Sequence, residues 1–170
     1  HRFGENYVQE GVDKIGALAD LRASLEWHLI GPLQSNKTRL VAEQFDWVHS
    51  IDRVKTAQRL SEQRPAWLPP LHVCLQVNIS GETSKGGAAP RAVAELAQAV
   101  AALPRLRLRG LMAIPEPARS FEAQRAPHRA LRELLESLNA RGLALDTLSM
   151  GMSADLEAAV RTIAGSARSM

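Results

Sequence analysis

A stretch near the carboxyl end of the chain, Thr147–Asp155, has the residue types of an anion-binding turn. Ser149, Gly151 and Ser153 are small, and they offer hydroxyl or backbone N–H donors. The stretch predicts a short strand that passes through a turn into a helix starting near Asp155. Such a turn suits a phosphate, because the first N–H groups of a helix lack internal acceptors and lie at the positive end of its dipole. Taken alone, Ser153 is more simply explained as the helix N-cap, a position that serine favours.

Polar side chains also recur where other predicted strands end. In chain order, the side chains at these ends are those of Asn6, His28, Ser50 with Asp52, Asn78 and the apolar Met112. In folds built from parallel strands, ligand sites form at the carboxyl ends of the strands. A binding site at this rim is therefore predicted, although a single strand histidine such as His28 is more often a packing residue.

The residue spacing favours neither a catalytic nor a metal site. There is no recognisable nucleophile triad, glycosidase carboxylate pair or His-Glu-x-x-His motif. His28, His49 and Cys74 do not have the spacing of metal ligands. The prediction is therefore a binding site with no catalytic residue and no metal.

The elements that must position these residues alternate between strands and helices. Strands are predicted at 3–6, 25–30, 47–51, 71–79, 106–114 and 145–150, with helical periodicity between them. Alternation of this kind predicts parallel strands joined by right-handed crossovers. Two architectures remain open, a doubly wound sheet and a (β/α)8 barrel. The barrel needs eight units, and about six are visible here.

Three helix boundaries are predicted from local signals. The first helix carries Val8 to Leu21 at helical spacing, and Ser35 with Asn36 can cap the second. Asp52 is expected to open the third helix directly after its strand.

Composition predicts one globular domain over residues 1–170. No apolar run approaches the ~18–20 residues that a membrane span needs, and the first residues carry no signal-peptide pattern, so a soluble protein is expected. A lone cysteine in an apolar run, Cys74, fits a reducing compartment, and a cytoplasmic location is predicted. The net charge of +3 comes from scattered arginines, and few aromatic residues accompany them, so no nucleic-acid partner is predicted.

Four longer motifs resemble the YggS/PROSC family of pyridoxal phosphate homeostasis proteins. They are Phe3–Glu10, Trp27–Lys37, Arg109–Pro115 and Leu148–Ser153, and their order and spacing match across nearly the whole chain. The resemblance implies the alanine racemase N-terminal fold, a (β/α)8 TIM barrel that holds pyridoxal 5′-phosphate (PLP).

The resemblance also implies a cofactor-binding set. Asn6 would lie beside the PLP ring and its 3′-oxygen, and His28 would lie near the ring. Met112 would line the apolar face of the ring. The phosphate would be held by the two serines and the glycine of the turn at 149–153.

In this family a lysine on the first strand holds PLP as a Schiff base, and that strand comes before the Phe-Gly-Glu-Asn motif. Here the sequence starts at His1, directly before the motif. The resemblance therefore implies a barrel domain over 1–170 that lacks its first strand, with the lysine, and its last strand. Lys85 is the one lysine that could replace the missing one, and a role at the substrate or loop side is its first interpretation.

The function implied is PLP binding in intracellular PLP (vitamin B6) homeostasis, as a carrier without catalytic turnover. PLP-dependent apoenzymes would receive the cofactor, and a monomer is expected. The alternative is a racemase-like PLP-dependent amino-acid enzyme. Against it, Tyr7 is the only tyrosine and is expected to be packed by the first helix, so the second acid/base group of a racemase has no candidate. A structural module with a decayed cofactor site is a third interpretation.

Overall fold

Six parallel strands form one sheet in the computed structural model, which describes residues 1–81 and 86–164. The strands are β1 (Arg2–Glu5), β2 (Glu26–Leu29), β3 (Trp47–Ile51), β4 (Leu71–Gln76), β5 (Leu106–Met112) and β6 (Thr147–Ser149). Each strand pairs with the next one in the chain, so β1 and β6 are the edges of the described sheet. A doubly wound sheet requires a reversal of strand order, and this sequential order excludes it.

One helix follows each strand. The helices are α1 (Val8–Ala17), α2 (Thr38–Gln44), α3 (Val54–Gln63), α4 (Val93–Ala101), α5 (Phe121–Ala140) and α6 (Leu156–Ala164). Short 3-10 turns precede β2, α2 and α4, at Ala19–Ser24, Ser35–Lys37 and Pro90–Ala92. The predicted alternation of strands and helices is confirmed over the described residues.

The two faces of the sheet differ sharply in chemistry. On β4, Leu71, Val73 and Leu75 belong to the main apolar core, which the helices share. His72, Cys74 and Gln76 alternate with them and therefore point to the opposite face. That second face also carries Trp47 and Met112, which form a small separate cluster with Cys74. β4 is therefore apolar on the face toward the helices and mixed on the opposite, concave face.

Several element boundaries differ from the predictions for local reasons. The first helix ends at Ala17, and Leu18 and Leu21 are exposed. Residues Ser35–Lys37 form a 3-10 turn and make no side-chain cap to α2. The third helix starts at Val54 rather than Asp52, whose carboxylate instead accepts a hydrogen bond from Arg53.

The fourth strand ends at Gln76, three residues earlier than predicted. Val77 donates its N–H to the backbone oxygen of Met112 at 2.8 Å and forms an isolated parallel bridge with Ala88 across the following loop. The side-chain oxygen of Asn78 accepts the N–H of Gly81 at 3.0 Å and closes a turn. The chain therefore turns away from the sheet at Asn78, and Asn78 is not part of β4. Within the described ranges, every helix is too short or too polar to cross a membrane.

Candidate functional site

A cavity of about 630 Å³ opens at the carboxyl ends of the strands. All six strands or the residues directly after them contribute to its wall, through Asn6, Ile30, Ser50, Gln76, Met112 and Ser149. The volume lies within the range of about 300–1,000 Å³ that small-molecule sites usually have. The predicted rim therefore corresponds to a real concavity.

Four of the six residues proposed for the cofactor line this cavity, namely Asn6, Met112, Ser149 and Gly151. The other two lie elsewhere. His28 sits deeper in the sheet, behind His49, and is not part of the wall. Ser153 is exposed on the turn after β6 and is not part of the wall either.

The turn between β6 and α6 is shaped by Gly151. Its φ is +89°, a left-handed conformation that glycine adopts without steric cost. A Cβ at this position would also lie 2.9 Å from the Cβ of Ala159, so a side chain would collide with α6. The absence of a side chain lets the turn pack closely over the first turns of the helix.

The start of α6 is held by Asp155 rather than by Ser153. Asp155 directly precedes Leu156, and its backbone oxygen accepts the N–H of Ala159 at 3.0 Å. Its carboxylate accepts the N–H of Met152 at 2.6 Å and lies 2.9 Å from Nε2 of His128. His128 is almost fully buried in α5, so this contact fixes the turn against a rigid helix.

A line of hydrogen-bonding side chains runs from the rim into the concave face of the sheet. Oγ of Ser149 lies 2.7 Å from Nδ1 of His49. Nε2 of His49 lies 2.9 Å from Nδ1 of His28. Nε2 of His28 lies 2.9 Å from Oε1 of Glu26, which also binds Arg2 at 2.9 Å. We call Glu26, His28, His49 and Ser149 the relay.

Burial and neighbouring charges shift the pKa values of the relay residues and so set their protonation states. Burial lowers the pKa of His49 to about 4, with a further lowering from the neighbouring His28. Burial also lowers the pKa of His28, although Glu26 opposes the shift through its hydrogen bond and charge. Burial alone would raise the pKa of Glu26, but His28 and Arg2 outweigh it and the pKa lies below its usual value. At neutral pH both imidazoles are therefore neutral and Glu26 is a carboxylate.

Below the relay, a second cluster fills the concave face. The guanidinium of Arg109 lies 4.9 Å from the centre of the Trp47 ring and contacts His72 at 2.8 Å. It also pairs with Asp146 at 2.6 Å. Burial raises the pKa of the Cys74 thiol to about 12, which makes it a poor nucleophile. This cluster lies between the rim cavity and a second cavity of about 620 Å³, which Trp47 and His72 help to line.

Two residues of the site, His49 and Gln76, were not predicted from the sequence. The predicted positions of Asn78 and Tyr7 differ from those in the structure. His49 lacks the spacing of a metal ligand and the sequence predicts no other role for it, although alternation along β3 places it on the same face as Trp47. Gln76 lines the cavity in place of Asn78, because β4 is shorter than predicted. Tyr7 is 67% exposed and lines the cavity, so the prediction that α1 packs it is wrong.

Two further expectations concern metals and lysines. Within residues 1–81 and 86–164, no group of three His, Cys, Asp or Glu side chains is placed to hold a metal ion. Lys85, the candidate replacement for the family's cofactor lysine, lies outside the described residues.

Comparison with known proteins identifies close relatives. The family model of the alanine racemase N-terminal domain matches residues 1–167. The pyridoxal phosphate homeostasis protein of Pseudomonas aeruginosa is 66% identical over 158 residues, which cover 93% of this chain and 66% of that protein. The protein of the same name from Escherichia coli K12 is 58% identical over 160 residues, covering 94% of this chain and 68% of that one. The chain thus spans about two thirds of the length of these relatives.

A solved structure shares the same arrangement of strands. It is PipY of Synechococcus elongatus PCC7942 with PLP bound, which superposes with a TM-score of 0.83 and is 35% identical. The match covers 94% of this chain and 74% of the PipY chain. The described fold is therefore that of the alanine racemase N-terminal domain, seen here as a six-stranded parallel sheet with its helices.

Proposed function

Since the chain belongs to the alanine racemase N-terminal domain family, and within it to the YggS/PROSC proteins, we propose that it binds PLP at the rim cavity. The observation that carries this proposal is that the cavity wall combines two kinds of lining, which meet where Met112 and Ser149 pair on neighbouring strands. The Ser149 hydroxyl and the Gly151 turn form a polar end that suits a phosphate. Met112, Ile114 and Pro115 form an apolar side that suits a flat ring.

One buried atom supports the fit of such a ligand. The hydroxyl of Ser50 lies in the wall, is shielded from solvent, and has no hydrogen-bond partner among the described residues. A buried hydroxyl without a partner costs about 1–3 kcal/mol, so a polar group of a ligand would satisfy it. The residues present therefore fit a flat aromatic ligand that carries polar substituents.

The individual assignments follow from position. Asn6 would anchor a ring substituent, and Met112 would pack on the ring. Ser149 and the Gly151 turn would hold the phosphate, with Ser153 as a further proposed ligand from the outer side of the same turn. His28 would act through His49 rather than by contact with the ring. PLP, when bound, supplies an electrophilic aldehyde and an electron-accepting ring, and these residues would orient it and shield it from water.

The biological role we propose is that of a PLP carrier in intracellular PLP homeostasis, without catalytic turnover. The names of the relatives from Pseudomonas aeruginosa and Escherichia coli support it. We further propose that the protein is cytoplasmic and monomeric. In this proposal it passes PLP to PLP-dependent apoenzymes. We also propose that the six strands belong to an eight-stranded barrel, since the match covers only 74% of the PipY chain.

The test is a titration with PLP followed by equilibrium dialysis, with pyridoxal, which lacks the phosphate, as the second ligand. Ser149→Ala is expected to weaken PLP binding by about tenfold or more, since it removes a hydrogen bond to a charged group. Pyridoxal binding should change little. Ser153→Ala is the matched serine variant, and its effect decides whether the exposed hydroxyl takes part. A protein that binds no PLP would refute the proposal.

One observation bears on the racemase-like alternative. The phenol of Tyr7 is exposed in the cavity wall, where an acid/base group would have to lie. Incubation of the PLP-loaded protein with L-alanine in deuterium oxide tests it. We expect no exchange of the α-hydrogen. Exchange that Tyr7→Phe abolishes would establish the enzymatic alternative.

A further inference from the structure

The hydrogen-bond directions of the relay follow from its charges. An ionised Glu26 has no hydrogen to donate, so Nε2 of His28 must carry a hydrogen and donate it. A neutral His28 then has only an acceptor at Nδ1, so Nε2 of His49 must be the donor in their contact. Nδ1 of His49 is in turn an acceptor, and the Ser149 hydroxyl donates to it at 2.7 Å. All three directions are thus set by the carboxylate at the far end.

This polarity conflicts with the binding of a phosphate dianion at Ser149. The hydroxyl has one hydrogen, and it is directed at His49. Only its lone pairs remain for the cavity, and a phosphate dianion also presents only acceptors. The two would repel each other where a charge-assisted hydrogen bond is needed. His49 is only 8% exposed, so a water molecule cannot easily replace the Ser149 hydroxyl as the donor to its Nδ1.

We propose that a phosphate group binding at Ser149 reverses the relay and places one extra proton on His28, beside Glu26. The identity of the ligand rests on the proposed function, whereas the reversal follows from the relay itself. His28 and His49 are positioning residues here, because they act on the ligand through Ser149. The reversed relay gives the phosphate a hydroxyl donor and compensates the new imidazolium with a carboxylate.

The proton balance is closed by shifts along existing contacts. A phosphate monoanion gives its proton to Oγ of Ser149, and the hydroxyl hydrogen moves to Nδ1 of His49. The hydrogen on Nε2 of His49 moves to Nδ1 of His28. The phosphate is then a dianion that accepts from the Ser149 hydroxyl, and His28 carries two N–H groups. Above the second phosphate pKa of about 6, where the free ligand is a dianion, the same end state requires one proton from the solvent.

The charged groups around His28 are compatible with this end state. Glu26 on the same strand and Asp46, just before β3, both favour the imidazolium, whereas Arg2 on β1 opposes it. On the far side, His72 is held by Arg109, whose charge is paired with Asp146 on the loop before β6. Glu26 retains 38% side-chain exposure, so a proton can enter from the solvent at that end.

The Glu26→Gln variant distinguishes proton uptake through the relay from a purely structural role of Glu26. The amide oxygen can accept from His28 as the carboxylate does, and after rotation its NH₂ can donate instead. The variant can therefore reverse all three hydrogen bonds without any proton. We expect it to keep binding the phosphate while losing the proton uptake. His72→Gln is the control, because it changes a histidine of the same face that is not part of the relay.

The measurement is calorimetric titration with pyridoxamine 5′-phosphate, which has no aldehyde, in HEPES and in Tris buffer at pH 8. Heats in buffers of different ionisation enthalpy give the protons taken up per ligand. The wild type and His72→Gln should take up about one proton more than Glu26→Gln. From pH 7 to 8 their affinity should also fall about tenfold relative to that of Glu26→Gln, since one proton is linked to binding.

The outcomes separate the two proposals. Equal proton uptake in the wild type and in Glu26→Gln, with binding intact, overturns the relay and leaves PLP binding standing. A loss of affinity in Glu26→Gln without a change in proton uptake also overturns it, because that is the result of a structural role. A wild type that binds no pyridoxamine 5′-phosphate refutes the proposed function and the relay together.

Discussion

The side chains of His49 and Ser149 lie 2.7 Å apart, although they stand on β3 and β6 and two strands lie between these in the sheet. Neighbouring strands are about 4.8 Å apart, so in a flat sheet β3 and β6 would be separated by roughly 14 Å. The contact therefore requires a curled sheet whose concave face closes around the relay. A residue of the third strand can thus act on a ligand held by the sixth.

The buried His49 should make the protein sensitive to acid. Its pKa is about 4 in the folded state and close to 6.5 when unfolded. Between these values the unfolded state binds more protons, so the free energy of unfolding falls as the pH drops from about 6.5 to about 4. The expected loss is roughly 3 kcal/mol. Urea unfolding without ligand at pH 7.0, 6.0, 5.0 and 4.5 measures it.

His49→Gln tests whether this residue is responsible. An uncharged side chain removes the linked proton, so the unfolding free energy of the variant should depend less on pH over the same window. His72→Gln should retain most of the wild-type dependence, because His72 is less deeply buried. A wild type and a His49→Gln variant with the same pH dependence would show that His49 is not the group that titrates.

Two left-handed glycines offer a matched test of the phosphate turn. Gly142 has a φ of +94° and open space where a Cβ would lie, whereas Gly151 has a φ of +89° and Ala159 in the way. Gly142→Ala should cost about 1 kcal/mol of stability from backbone strain alone. Gly151→Ala should cost more, because it adds a steric collision, and it should also weaken PLP binding. Thermal unfolding and PLP titration of both variants measure these effects.

A buried arginine should stabilise the end of the sheet opposite the cavity. Arg64 donates to the backbone oxygens of Ala42, Phe45 and Pro69 at 2.7–2.9 Å. Arg64→Leu would leave these oxygens without their donor, at an expected cost of about 2–4 kcal/mol. Arg59→Leu is the control, since Arg59 makes one exposed contact of this kind. Neither variant should alter PLP affinity, and a selective loss of affinity in Arg64→Leu would mean that the two ends of the sheet are coupled.

The sequence predicted the order and type of the elements because each carries its own periodicity. Stretches such as 71–76 and 121–140 contain enough apolar residues at regular spacing to specify a strand or a helix locally. The strand ends were predicted less well. The end of β4 depends on Asn78 closing a turn and on a bridge between Val77 and Ala88, which are contacts that periodicity does not describe.

The candidate site was predicted in part for a similar reason. Ser149 and Gly151 belong to a contiguous stretch whose residue types favour an anion. The role of His49 depends on Ser149, one hundred residues later in the chain, and on the curvature that brings them together. No local sequence pattern around His49 indicates a contact with a residue so far along the chain. The exposed position of Tyr7 likewise depends on where α1 begins, at Val8, rather than on the apolar spacing of the helix.

Asp155 should hold the phosphate turn in its binding geometry. Its carboxylate contacts the N–H of Met152 at 2.6 Å and the buried His128 at 2.9 Å, and so ties the turn to α5. Asp155→Ala removes both contacts and a favourable charge at the start of α6. We expect a loss of about 1–3 kcal/mol in stability and about tenfold weaker PLP binding. Glu157→Ala, an exposed acid on the same helix paired with the exposed Arg161, should change neither quantity measurably. Equal effects of the two variants would show that α6 responds to charge in general and not to the Asp155 contacts.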